Sequence, residues 1–156
     1  MSITKENIDQ FAAAWYLALD QHAPEEALAA LVADDVEMIF PEATLHGIED
    51  FKAWYRGGTY SNGSTAPGVI NIFFDENHNI VSVDATITET GAEAQVVVAW
   101  QASWFTPPAA KSKRTSLDAK QTWGFRASDK NPYGVVISSY NAIAAPFDYT
   151  PGFARL

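Results

Sequence analysis

Apolar residues in this chain keep helical spacing as far as Tyr55, and from Val69 onward they alternate by twos. One short strand interrupts the helical half, and no helical pattern returns after the switch. Helices followed by strands alone describe an α+β cone, a curved antiparallel sheet wrapped around N-terminal helices, with a pocket where the two meet. Thr4 caps a helix from Lys5 to about Gln21, and Ile8, Phe11, Ala12, Trp15, Leu19 and His22 form its buried stripe. Pro24 opens a second helix reaching Ala33, because a first-turn proline loses no hydrogen bond. Ala33-Asp34-Asp35 leads into a strand, Asp35 to Phe40, and Pro41 bends the chain. Gly47 starts a third helix carrying Ile48, Phe51, Trp54 and Tyr55, and Gly57-Gly58 ends it.

Residues 57–68, rich in Gly, Ser and Thr, read as the longest loop and a candidate lid. Val69 to Asp75 then turns at Glu76-Asn77-His78-Asn79 into Ile80 to Thr90, followed by strands Glu93 to Phe105, Lys113 to Ala127 and Gly134 to Ala144. In Lys113 to Ala127 the set Leu117, Ala119, Gln121, Trp123 and Phe125 faces the helices. In Glu93 to Phe105 the inward set is Val96, Val98, Trp100, Ala102 and Trp104. The last strand is ambiguous: Val136, Ser138, Tyr140 and Ala142 oppose Val135, Ile137, Ser139 and Asn141. Its half-apolar outer face suits a sheet-to-sheet homodimer.

At 156 residues the chain reads as one domain, 1–156, with a core over 5–145 and an aromatic tail over 146–156. Five Trp, six Tyr and nine Phe either fill a core or line a pocket for a small apolar molecule. The absence of Cys excludes disulfides and thiolate metal sites, and a net charge of −9 argues against nucleic acid. The one basic cluster, Lys111, Lys113 and Arg114, suits a strand start or edge. With no secretory run and no apolar stretch of membrane-spanning length, a cytoplasmic address and no membrane partner are expected.

Trp15-Tyr16, Leu31 to Asp35, Phe40-Pro41, His46-Gly47, Phe51 with Trp54-Tyr55, and Val135 to Ser138 together carry a family resemblance. Over roughly residues 5–145 the chain resembles the nuclear transport factor two superfamily, in particular its SnoaL-like branch. The resemblance implies a cystatin-like roll. It also implies a choice between cofactor-free acid–base enzymes of isomerase, dehydratase or cyclase type and modules that only bind a ligand or a protein. Against the ketosteroid isomerase pattern, Tyr16 falls on the tyrosine that donates to the substrate oxygen. Phe40 stands where that pattern has its general-base aspartate, and Trp123 at or near its second acid, so steroid isomerisation lacks its players.

The dehydratase and cyclase branches use His with Asp or Tyr, which makes His46 the best local candidate. His46 either moves a proton or bonds locally beside Gly47. Tyr16 either points its hydroxyl into the cavity or fills the core with a bonded tip. Tyr16 and His46 are therefore the catalytic candidates, Gln121 an orienting amide, and Trp54, Trp100, Trp123 and Tyr140 the walls. His22, ending the first helix, reads as structural, and Asp75, Glu76 and His78 read as solvated turn residues. No metal ligand set and no cofactor motif is expected.

Overall fold

A computed structural model of the protein describes residues 3–40, 43–104 and 113–144. Helix α1 runs Lys5–Asp20 behind a complete capping box: Thr4 Oγ1 accepts the Asn7 N–H, and Asn7 Oδ1 accepts the Thr4 N–H. Its buried stripe is Ile8, Phe11, Ala12, Trp15, Tyr16 and Leu19. Helix α2 is only Glu25–Ala29, shorter than expected, because β1 already begins at Val32 and spans Val32–Ile39. The chain commits to the sheet this early because the Leu31 carbonyl accepts the Ile137 N–H at 2.9 Å. Strand β2 is Thr44–His46 and helix α3 is Ile48–Arg56. Gly47, at φ 87°, heads α3 in a conformation that favours glycine.

Residues 57–68 are not an open loop. They hold a two-stranded hairpin, β3 Gly58–Thr59 with β4 Thr65–Ala66. A short 3-10 helix, Val69–Asn71, leads into the long strands β5 Phe73–Ile87, β6 Gly91–Trp104, β7 Lys113–Ala127 and β8 Val135–Ala144. The expected turn at Glu76–Asn79 is instead the interior of β5. Its register against β6 slips between Phe74 and Asn77, and Asp75 takes a positive φ of 50°. A bulge absorbs the turn-forming residues without ending the strand.

The sheet order is β2-β1-β8-β7-β6-β5, antiparallel throughout except for the parallel β1–β8 pair. In β1 the register slips between Val32 and Glu37, so Asp34 and Asp35 bulge outward. Lys130 reaches the Asp34 carboxylate at 3.0 Å and the Val32 carbonyl at 2.6 Å, while Arg126 pairs with Asp35. The acidic pair thus anchors β1 to the β7–β8 end of the sheet.

On the concave face Ala119, Gln121, Trp123 and Phe125 of β7 are buried, as are Val96, Val98, Ala102 and Trp104 of β6, with Trp100 half-buried. Strand β8 resolves its ambiguity by a register slip: Val135, Val136 and Ile137 are all buried, and Tyr140 and Ala142 then share the inner face. Phe11, Trp15 and Trp123, none of them exposed, form the centre where α1 lies on the sheet. Burying each contributes roughly 2–3 kcal/mol. Lys113 and Arg114 do begin a strand; Lys111 and the aromatic tail lie outside the described residues. No helix among the described residues is long and apolar enough to cross a membrane.

Candidate functional site

A chain of ring contacts crosses the concave face from α3 to β5 and β6. Trp54 stacks on Phe40 at 4.6 Å, Phe40 meets Tyr140 at 5.2 Å, and Tyr140 stacks on Trp123 at 5.7 Å. Trp123 meets Tyr16 at 5.6 Å, Tyr16 stacks on His78 at 4.8 Å, and His78 meets Trp100 at 6.2 Å. Elements distant in sequence supply this belt because the cone brings one end of α1 over β7 and β5. Six of the seven residues singled out from the sequence fall on it or bond to it: Tyr16, Trp54, Trp100, Gln121, Trp123 and Tyr140. The seventh, His46, lies elsewhere. It is exposed on edge strand β2, its Nδ1 2.6 Å from Glu37 Oε2.

Gln121 is the polar centre of the belt. Its Oε1 accepts the Tyr16 hydroxyl at 2.8 Å and Trp123 Nε1–H at 3.1 Å, so the inward amide is bonded. Burial, reinforced by Tyr140 and Asp20, pushes the Tyr16 hydroxyl well above the usual tyrosine range. Tyr16 is therefore a neutral hydrogen-bond donor. Phe40, which takes the place of a base in the isomerase pattern, is a stacking ring between Trp54 and Tyr140.

Beyond Tyr16 the belt ends in a polar corner. Asp20, in the last turn of α1, accepts the His78 backbone N–H on Oδ2 at 2.9 Å and faces His78 Nδ1 with Oδ1 at 2.5 Å. Glu76 accepts Trp100 Nε1–H on Oε2 at 3.2 Å, and its Oε1 lies 3.1 Å from His22 Nε2. Burial raises the Glu76 carboxyl despite the opposing pull of His78, Trp100 and His22. The same burial, with Glu76 nearby, pushes the Tyr55 hydroxyl up to about 12, and that hydroxyl donates to the Ala23 carbonyl. His78 is thus no solvated turn residue: its side chain is 11% exposed and faces the Asp20 carboxylate.

Sequence reasoning missed this corner, though signals existed. An acid in the last turn of a helix with no basic residue there opposes the helix dipole, so Asp20 needs another partner. Glu76 and His78, two apart, share a face once β5 is read as continuous.

A second concavity, a cleft of ≈ 190 Å³, opens between the start of α1 and the β7–β8 turn, lined by Ile3, Asn7, Asn131 and Tyr133 among others. Its amides are already engaged. Asn7 completes the capping box, and Asn131 donates to the Ala30 and Val135 carbonyls.

No curated protein matches the chain in sequence. Among solved structures, a candidate aromatic ring hydroxylase from Novosphingobium aromaticivorans superposes with a TM-score of 0.68 at 12% identity, over 89% of this chain and 88% of that one. A candidate dehydratase of the nuclear transport factor 2-like family from Streptomyces avermitilis gives 0.65 at 16% identity, over 90% and 97%. The CaMKII hub of S. rosetta gives 0.61 at 9%, over 87% and 92%. At these identities the likeness shows the fold, and a further neighbour carries the cystatin-like description outright. The SnoaL-like domain family matches residues 12–110, more than half of the sequence, and the chain belongs to that family.

Proposed function

We propose that the concave face binds a small apolar, ring-shaped molecule and that Tyr16 with the Asp20–His78 pair carries acid–base chemistry on it, of isomerase, dehydratase or cyclase type. The observation that carries this reading is the adjacency of the Asp20–His78 pair to the aromatic belt, with the His78 ring stacked on Tyr16 at 4.8 Å. When Nδ1–H donates to Asp20, the His78 Nε2 lone pair is left as the proton acceptor. Nε2 makes no hydrogen bond to a described residue. Tyr16 is kept protonated by its burial and gives its one hydroxyl proton to Gln121, so it serves a substrate oxygen as donor by exchanging that bond for one to the substrate. Trp54, Trp100, Trp123 and Tyr140 form the apolar walls. In this reading proton transfer belongs to His78, whereas His46 is engaged with Glu37 on the outside of the sheet.

Native mass spectrometry of the purified protein tests for a retained small molecule, and quenching of tryptophan fluorescence by a panel of ring ketones and phenols tests for binding. A bound ring compound is expected. For the compound found, His78→Gln should leave affinity within a few-fold and lower turnover at least about tenfold, as positioned acid–base groups contribute that much or more. The absence of both retention and quenching would refute the pocket, and binding with unchanged turnover in His78→Gln would refute the chemistry.

A second reading, a homodimeric interaction module, rests on the apolar side chains exposed along β5. Val81 is 63% exposed, and Phe74, Ile80 and Ile87 are exposed beside it in the same strand. The fold shared with the CaMKII hub of S. rosetta suits that reading. Sedimentation velocity should then show a dimer that Val81→Lys dissociates; a monomer at every concentration would remove this alternative.

A further inference from the structure

We infer that Asp20, Glu76 and His78, with His22 beside them, form a binding site for a divalent transition-metal cation. The inference goes beyond the proposed function and shares Asp20 and His78 with it; a cation on His78 Nδ1 leaves the ring proton on Nε2, so the base role belongs to the metal-free protein and the two are tested separately.

Three groups from two elements converge here. One ligating atom from each of Asp20, Glu76 and His78 can be chosen so that all lie within 4.8 Å of one another. Two ligands at about 2.1 Å from a tetrahedral metal sit roughly 3.4 Å apart. The widest spacing must therefore close by up to about 1.4 Å, within the reach of side-chain rotation. His78 Nδ1 and Asp20 Oδ1 face each other at 2.5 Å, so a cation entering here displaces the proton between them and moves the two atoms apart.

The carboxylates are held for the purpose. Glu76 Oε2 is fixed by Trp100 Nε1–H and Asp20 Oδ2 by the His78 backbone N–H. Each acid is thereby left with one oxygen turned toward an imidazole of the cluster, as outer hydrogen bonds orient ligands in metal sites. His22 Nε2, 3.1 Å from Glu76 Oε1, offers a fourth donor atom. Charge argues the same way. With both imidazoles neutral, the corner holds two negative charges largely removed from water, and one divalent cation balances them. Mixed imidazole nitrogen and carboxylate oxygen suits Zn²⁺, Co²⁺, Mn²⁺ or Fe²⁺, whereas Ca²⁺ and Mg²⁺ favour all-oxygen sets.

The test is titration of the full chain with Co²⁺, followed by its visible absorption, and with Zn²⁺ by calorimetry in two buffers of different protonation enthalpy. We expect one ion per chain, proton release on binding, and no competition from Mg²⁺. Glu76→Gln, which can keep the Trp100 bond, and His22→Asn, which tolerates the left-handed backbone at that position, should each weaken binding at least about tenfold. Absence of one-to-one binding would overturn the site. So would affinity unchanged from the parent in both variants, which would place the ion elsewhere, or effective competition by Mg²⁺. Quenching by a ring compound in chelator-treated protein reports on the pocket alone and separates the two failures.

Discussion

Replacing Gln121 by leucine should destabilise the protein more than the loss of one hydrogen bond explains, and the excess has a definite sign when combined with Tyr16→Phe. Gln121 Oε1 is the acceptor for two buried donors, the Tyr16 hydroxyl at 2.8 Å and Trp123 Nε1–H at 3.1 Å. Tyr16 is 2% exposed and Trp123 not at all, so neither donor has water to turn to. Stranding a buried donor costs about 1–3 kcal/mol. Two of them, offset in part by the apolar contact leucine gains, give a loss of about 3 kcal/mol. Tyr16→Phe alone removes one donor and leaves the amide oxygen bonded to Trp123, a cost of about 1 kcal/mol. In the Gln121→Leu background the same change deletes a stranded hydroxyl, so it should stabilise. Urea denaturation of the four proteins, compared at constant m-value, measures the cycle. If Tyr16→Phe destabilises in both backgrounds, Gln121 does not hold the two donors, and the polar centre of the belt has been misassigned.

Asp50 is buried, which raises its carboxyl, yet the His46 backbone N–H at 2.9 Å and the Ser61 hydroxyl and N–H at 2.8 and 2.7 Å outweigh burial and hold it below the usual carboxylate range. A depressed folded value means stabilisation present at neutral pH and lost as pH falls below about 4, so Asp50→Asn should cost about 2 kcal/mol at pH 7 and much less at pH 3; equal urea midpoint losses at both would refute this. Glu76 has the opposite sign. Its raised folded value favours the fold below about pH 4.3 and withdraws that support as pH rises, so Glu76→Gln should improve relative to the parent between pH 4 and pH 7, read from melting temperatures. Gly91→Ala should cost roughly 3 kcal/mol, because a Cβ there would lie 1.9 Å from the Phe125 carbonyl oxygen across the β6–β7 pair; a thermal melt within a degree of the parent would show that the strands give way freely.

The inner faces of β6 and β7 were legible because each alternates over more than ten residues against a single core, and a one-residue slip there would expose Trp123. Helices α1 and α3 were legible for the matching reason, a stripe of large side chains at helical spacing. What failed was wherever tertiary pairing overrode local preference. Glu76-Asn77-His78-Asn79 has the composition of a turn, but β6 offers unbroken partners on both sides of it, and a bulge is cheaper than ending two strands. Residues 57–68 have the composition of a loop, but Asp50 pins Ser61 and closes a hairpin, a contact across a helix that no local rule reports. The same failure concealed His78: read as a turn residue it was solvent chemistry, and read as a strand residue it faces Tyr16. The strand residues of the aromatic belt could be placed on the inner face from the sequence because ring size and strand parity sufficed. The polar corner did not, because its partners are 58 residues apart.

Costly features gather at that corner. The described residues contain two non-glycine positions with positive φ, His22 at 49° and Asp75 at 50°, and each adjoins a member of the cluster or belongs to it. Strained backbone of this kind persists only where surrounding contacts over-determine it. Glu76 adds a second cost, since its ionised form is disfavoured by burial. Asp20 adds a third, a negative charge at the negative end of a helix dipole. A core that needed only stability would have no use for any of the three, and apolar residues in their place would pack against Trp100 without penalty. Elsewhere along the concave face the polar groups are few and uncharged: Gln121 is bonded, and the buried Trp15 Nε1 has no hydrogen-bond partner among the described residues. Unfavourable terms gathered at one end of the aromatic belt are what the proposed function accounts for and a requirement for stability alone does not.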